Sequence, residues 1–190
     1  MDFTGDIEED CILLYNILDY ELAGSKSGTA RKQMFKKGHG KNETTDSYSI
    51  TMGHTFRRYM SPEKNRENSE IFKGLYKTKL LTEKPHLVDV ITEFGSHHFP
   101  DFAFTEIQFN YNWASPPHFD KANLGDSLII GLGDYSCGEL VIEQPDKSII
   151  KVDIHDKPYI FNGAKFKHWT DAYTGNRLSM VLYSLKKDKL

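Results

Sequence analysis

From Ala103 onward the sequence divides into seven short stretches rich in apolar and β-branched residues: 103–112, 127–132, 138–143, 148–153, 158–162, 167–173 and 177–185. Gly, Asp, Asn and Pro separate them. Each is of strand length, and the turn residues between them interrupt any helical period. This half of the chain reads as all-β. Many short strands at such spacing make a sandwich or barrel, and helices gathered ahead of them would buttress one face. The reading is an α+β, mainly β fold. Residues 103–190 form a double-stranded β-helix (jelly-roll) core, and residues 1–102 a helical and basic-loop extension of the same single domain. A chain of 190 residues suits one domain with a sizeable core.

The extension has a different pattern. In Cys11–Leu22 the apolar residues Ile12, Leu13, Tyr15, Ile17 and Leu18 recur at helix-like intervals among acidic positions. Residues 24–46 are rich in Gly, Ser, Lys and Thr and carry Arg31, Lys32, Lys36, Lys37 and Lys41. They read as a solvated basic loop, with attraction of an anionic substrate as the alternative. Tyr48, Ile50, Met52 and Phe56 share the phase of a strand over Tyr48–Tyr59. Ser61-Pro62-Glu63 then opens a helix with proline in its first turn. Two helices are expected there, one presenting Ile71, Leu75, Leu80 and Leu81. The other presents Leu87, Val88, Val90, Ile91 and Phe94 and ends at Gly95.

Composition limits the setting. Cys11 and Cys137 form no disulfide framework, and the acidic start lacks the basic and long apolar segments of a signal peptide. The expectation is a soluble intracellular protein, cytoplasmic or nuclear, with no membrane span. The net charge of −3 gives no overall pull toward nucleic acid, so such binding must come from a local patch.

His118-Phe119-Asp120 and the single His168 supply two imidazoles and a carboxylate within the β half. In extended backbone, residues i and i+2 share a face, so His118 and Asp120 point together while a later strand brings His168. Two His and one carboxylate on a single face leave coordination positions open on a non-haem Fe(II) ion. H-x-D also arises by chance in a chain with eight histidines, and His155 competes for the third position. His168 is preferred because Arg177 follows it on the next strand. The Arg177 guanidinium can grip the far carboxylate of a dicarboxylate whose other end chelates the metal. Ser179, at i+2, can add a hydroxyl bond, although a surface salt bridge remains open for Arg177. Gln108, Asn110 and Asn112 share one face of the preceding strand. Their amides either bind the cosubstrate or satisfy a polar interior.

Together these residues resemble the Fe(II)/2-oxoglutarate-dependent dioxygenase superfamily across the β half. The stretch from His118 to Leu140 is most similar to the TET/JBP-type branch, whose members oxidise the methyl group of 5-methylpyrimidines in nucleic acid. Phe161-Asn162-Gly163 before His168 and Arg177-Leu178-Ser179 after it also fit such cores. The resemblance implies Fe(II), 2-oxoglutarate and O2, with decarboxylation to succinate coupled to hydroxylation of a C–H bond. It implies a base-reading role for Asn123, three residues beyond Asp120, where a turn role is the alternative. If nucleic acid is the substrate, Lys32, Lys36, Lys37, Arg57 and Arg58 can contact phosphates. Trp113, Phe119 or Trp169 can stack on an extruded base or serve packing. The chain lacks the cysteine-rich zinc-binding region of animal TET enzymes. A prolyl-hydroxylase-like protein or small-molecule hydroxylase, and a metal-binding jelly roll without turnover, are the competing functions. The sequence leaves the oligomeric state open.

Overall fold

A computed structural model describes residues 2–27, 47–56 and 75–186. The basic-loop residues Arg31 to Lys41, the pair Arg57 and Arg58, and the helix expected at Ser61 lie outside them. Helix α1 (Ile7–Leu22) leads into strands β1 (Tyr48–Met52), β2 (His54–Phe56) and β3 (Leu75–Lys77). Helices α2 (Lys79–Glu83) and α3 (His86–His98) follow. The β half then supplies β4 (Glu106–Tyr111), β5 (Ser127–Leu132), β6 (Tyr135–Cys137), β7 (Leu140–Glu143), β8 (Ile149–Val152), β9 (Tyr159–Phe161), β10 (Lys167–Thr170), β11 (Tyr173–Gly175) and β12 (Leu178–Tyr183).

Every strand pairing is antiparallel among the described residues. The main sheet has the order β1-β4-β12-β5-β9, and a second sheet runs β10-β7-β8. Register gives the main sheet two unlike faces. Ile50, Phe109, Met180 and Ile130 stand in one cross-strand row, and Ser49, Asn110, Ser179 and Gly131 stand in the next. Side chains alternate along a strand, so the first row belongs to an apolar face and the second to a polar one.

The apolar face is covered by helices. Cys11, Leu14, Leu18 and Leu22 of α1 and Leu87, Val90, Ile91 and Phe94 of α3 recur every three or four residues. They join Phe109, Ile130 and Met180 in one buried cluster. Each such leucine contributes about 1.5–3 kcal/mol by burial. A smaller cluster joins Ile129 and Phe161 of the main sheet to Leu140 and Ile142 of the second sheet, so the two sheets share an interior. No described helix is long and apolar enough to cross a membrane.

Helix α1 begins earlier than the apolar pattern implied. The Asp6 side chain caps it by accepting from the N–H groups of Glu8 and Glu9. Asp10, in its first turn, accepts from the N–H groups of Thr4 and Gly5 and lies 2.8 Å from Nε2 of His98 on α3. Burial works against the Asp10 charge, yet these donors outweigh it and hold the carboxyl below its ordinary 3.8. Folding therefore favours ionised Asp10. Its contribution is complete above about pH 4 and is lost as the pH falls further. Asp10→Asn is expected to lower the melting temperature by about 2–8 °C at pH 7. Calorimetry should show that gap closing below about pH 4.

The structure corrects the expected extension: α3 runs through Gly95 to His98, and Ile12 on α1 is exposed, the buried apolar face being Cys11, Leu14, Leu18 and Leu22. Leu75 is not helical: it lies in β3, paired with Phe56 of β2, and the next helix starts only at Lys79, capped by Thr78, whose hydroxyl accepts from Leu81 N–H. Tertiary pairing overrode a sparse helical pattern. The strand expected from Tyr48 is interrupted at Gly53, whose φ of 124° is readily adopted only without a side chain. Similarly, the stretch 167–173 is two strands, broken at Asp171-Ala172.

Candidate metal centre and carboxylate cage

Backbone hydrogen bonds assemble the His-x-Asp segment against two distant ones. His118 and His168 exchange N–H···O bonds at 3.0 Å each, a directly opposed antiparallel pair that places both imidazoles side by side. Asp120 N–H donates to Gly163 O at 2.9 Å. A Cβ at Gly163 would lie 3.0 Å from Asp120 Oδ2 and 3.1 Å from His168 Cε1, which accounts for glycine in Phe161-Asn162-Gly163. The ligating atoms of His118, Asp120 and His168 lie within 4.8 Å of one another.

The protonation pattern suits a cation. His118 Nδ1 lies 2.7 Å from Pro116 O, and His168 Nδ1 lies 3.0 Å from Phe166 O. A carbonyl only accepts, so in each neutral ring Nδ1 carries the proton and Nε2 presents a lone pair. Both Nε2 atoms face Asp120, 3.5 Å from its oxygens. With both Nε2 atoms protonated, the two rings outweigh the burial that disfavours the Asp120 charge and hold the carboxyl far below the usual carboxylate range; a bound cation takes the place of those two protons. Lone pairs and an anion converging without a cation repel one another. The donor set therefore fits a divalent metal, and its two His and one carboxylate match the non-haem iron triad.

Beside the triad is a pocket of about 120 Å³. Gln108, Asn110 and Ser179 come to it from the polar face of the main sheet, Trp169 and Thr170 from β10, and Asn123 from the loop after Asp120. Arg177 stands just before β12, two residues ahead of Ser179, and is 1% exposed. Its Cζ lies 5.4 Å from the Tyr135 ring centroid and 5.5 Å from that of Tyr173. Arg177 Nε and Nη1 and both tyrosine hydroxyls are buried without a hydrogen-bond partner among the described residues. Burial raises both phenols to about 12, offset in part by the Arg177 charge, so both remain neutral hydroxyls. A Cβ at Gly131 would lie 2.1 Å from the Tyr135 hydroxyl. Gly131 is the register partner of Ser179, so that hydroxyl reaches the inner face beside it. A buried guanidinium and two hydroxyls without acceptors form a cage that fits a carboxylate.

No protein-family model matches the sequence, and no curated protein matches it either. Among solved structures, NgTET1 in complex with 5mC DNA aligns at a TM-score of 0.51 and 17% identity, covering 85% of this chain and 67% of that one. The chain has the 2-oxoglutarate/Fe(II) oxygenase fold, with a TET-like match. A Pseudomonas putida prolyl-4-hydroxylase aligns at 0.45 and 10% identity, covering 97% and 89% of the two chains. A Burkholderia pseudomallei oxidoreductase of the 2OG-Fe(II) oxygenase family aligns at 0.45 and 15%, covering 96% and 92%.

Within this fold the expected residues separate. The structure gathers His118, Asp120, His168, Gln108, Asn110, Asn123, Trp169 and Ser179 around one pocket, while Arg177 lies just before the strand of Ser179 and does not line that pocket. It does not bring Trp113 there, since that ring is fully buried and lines no part of the pocket. Phe119 is 43% exposed and also stands outside the lining. Asn123 is buried, and one amide N–H is committed to the Ser127 hydroxyl at 3.1 Å. Asn112 leaves the face it was expected to share. Its φ of 47° turns it out of β4, and its Oδ1 accepts from Arg177 N–H at 2.9 Å. His155 stacks on Tyr135 and bonds Gly133 O, away from the triad.

Sequence reasoning missed Tyr135, Tyr173 and Tyr183. Tyr183, which lines the pocket, could have been found by continuing the alternation Arg177, Ser179, Val181. Tyr135 and Tyr173 carried no such signal. They meet Arg177 through the β6–β11 ladder, which pairs Gly175 with Tyr135 and Cys137 with Tyr173.

Proposed function

We propose that this protein is an Fe(II)- and 2-oxoglutarate-dependent dioxygenase that hydroxylates a C–H bond, the methyl group of a 5-methylpyrimidine in nucleic acid. One observation carries the reaction class: a two-His, one-carboxylate triad lines a pocket together with Ser179, and two residues before Ser179 stands a buried arginine whose Nε and Nη1 have no acceptor among the described residues. In this reading residues 1–190 are one oxygenase domain, the two sheets are the halves of a double-stranded β-helix, and residues 1–102 are its extension. His118, Asp120 and His168 hold the metal. Arg177, Tyr135, Tyr173 and Ser179 take the far carboxylate of the cosubstrate, and Gln108 and Asn110 line its path.

When bound, Fe(II) and 2-oxoglutarate supply oxidising chemistry: R–H, O2 and 2-oxoglutarate become R–OH, succinate and CO2. The chain's own residues supply geometry. The Nδ1–H bonds to Pro116 O and Phe166 O lock both ring orientations, and the cage sets the depth at which a dicarboxylate sits. The substrate assignment is supported by the likeness to a TET structure holding 5mC DNA and by Asn123, Trp169 and Tyr183 beside the metal face. An amide can read a pyrimidine edge, and an aromatic ring can stack on a base taken out of its helix.

The test is to incubate the protein with Fe(II), 2-oxoglutarate, O2 and DNA or RNA carrying 5-methylcytosine. Succinate is then quantified, and digested nucleosides are analysed by mass spectrometry. The expected product is the 5-hydroxymethyl nucleoside, matched in amount by succinate. Succinate without any modified nucleoside would reject the substrate, and an absence of succinate would reject the class.

A further inference from the structure

The polar face of the main sheet carries a hydrogen-bond chain that starts on β1, outside the expected catalytic core. Thr51 Oγ1 donates to Gln108 Oε1 at 2.7 Å, and Gln108 Nε2 donates to Ser49 Oγ at 3.1 Å. Ser49 Oγ donates to Asn110 Oδ1 at 2.7 Å, and Asn110 Nδ2 donates to Ser179 Oγ at 3.4 Å. Ser49, Asn110 and Ser179 are each less than 10% exposed.

An amide can be turned end for end, so the direction of such a chain needs an anchor. Here it has one. Gln108 Nε2 also lies 3.1 Å from Phe109 O, a backbone carbonyl that can only accept. The nitrogen must therefore face that carbonyl, and Oε1 must face Thr51, whose hydroxyl has to donate. Gln108 Nε2 fills a lone pair of Ser49, which turns the Ser49 proton toward Asn110 Oδ1. Asn110 must then present its NH2 end to Ser179. Ser179 accepts, which leaves its own proton and the second Asn110 N–H for the pocket that both residues line. Every link points the same way, so the chain delivers donors to the pocket.

We infer that Ser49 and Thr51 on β1 are positioning residues for the cosubstrate: they lock Asn110 and Ser179 as hydrogen-bond donors and so tune the pocket for an acceptor-only carboxylate. The inference rests on the function proposed above and adds to it two residues from the extension that touch no ligand. Without Ser49, Asn110 Oδ1 keeps only the longer 3.3 Å bond from Gln108 Nε2, and without Thr51, Gln108 Oε1 loses its donor. Either change loosens the hold on Asn110, and an inverted Asn110 would turn its carbonyl oxygen toward Ser179 and the pocket, where it would repel a carboxylate. Asn110→Asp, near-isosteric but acceptor-only, imposes that repulsion permanently.

The experiment is anaerobic calorimetric titration of 2-oxoglutarate into protein loaded with redox-inert Mn(II). Mn(II) affinity and the far-UV spectrum are measured alongside. The expected result is binding by the wild type and about 5- to 10-fold weaker binding by Ser49→Ala and Thr51→Val. Mn(II) affinity should be unchanged, Thr51→Ser should restore binding, and Asn110→Asp should show the largest loss. If the wild type binds and Arg177→Met does not, while Ser49→Ala and Thr51→Val bind within about twofold of wild type, this inference is overturned and the functional reading stands. Thr51→Ser as weak as Thr51→Val also overturns it, because the loss then comes from packing. A wild type that ignores 2-oxoglutarate rejects the functional reading and this inference together.

Discussion

Alanine at His118, Asp120 or His168 is expected to abolish succinate formation, to below about 1% of the wild type, since even residues that only orient metal ligands reach 10- to 100-fold effects. A readout independent of turnover is available. Added Mn(II) should raise the melting temperature of the wild type by mass action and leave that of Asp120→Ala unmoved. The physical basis is the convergence of two Nε2 lone pairs and a carboxylate within 4.8 Å. Asp120 belongs to neither apolar cluster, so Asp120→Ala should still fold without metal, and a stabilisation by Mn(II) equal to that of the wild type would exclude the triad as the metal site.

The second large effect is expected at Arg177. Arg177→Met keeps much of the volume and removes the charge, and 2-oxoglutarate affinity should fall by about 2–5 kcal/mol, the range for truncating a buried charged partner. Arg177→Lys should not rescue it, because a point charge cannot reproduce a planar two-pronged donor. Stability separates this role from a structural one. An unpaired buried charge is costly, and burial already pulls the Arg177 pKa below its ordinary value. Arg177→Met should thus melt at or above the wild-type temperature without cosubstrate, and the order should reverse once 2-oxoglutarate is added. A variant that binds 2-oxoglutarate as the wild type does would remove Arg177 from the site.

Much of this was legible in the sequence because strand periodicity is local. Alternation alone places Gln108 and Asn110 together, since side chains two apart in a strand share a face whatever else the chain does. The apolar face of α3 was readable for the same reason, its spacing being set by the helix itself, whereas on α1 the buried apolar residues are Cys11, Leu14, Leu18 and Leu22 and the expected Ile12 is 62% exposed. The residue types of the triad and their chemistry likewise follow from His118, Asp120 and His168 as written.

Tertiary structure decided everything that depends on pairing between distant segments. The opposed backbone bonds of His118 and His168 put the two imidazoles 4.3 Å apart, and no spacing in the chain encodes that contact. The β6–β11 ladder brought Tyr135 and Tyr173 to Arg177, and the β1–β4 register brought Ser49 to Asn110. Leu75 went to a strand through its ladder pairing with Phe56, in a segment distant in the chain. The sequence by itself determined which faces are apolar, which are polar, and which chemistry its residues can perform. Only the fold decided which of those groups meet, because strand register is a property of pairs and is fixed when both partners bury their apolar faces together.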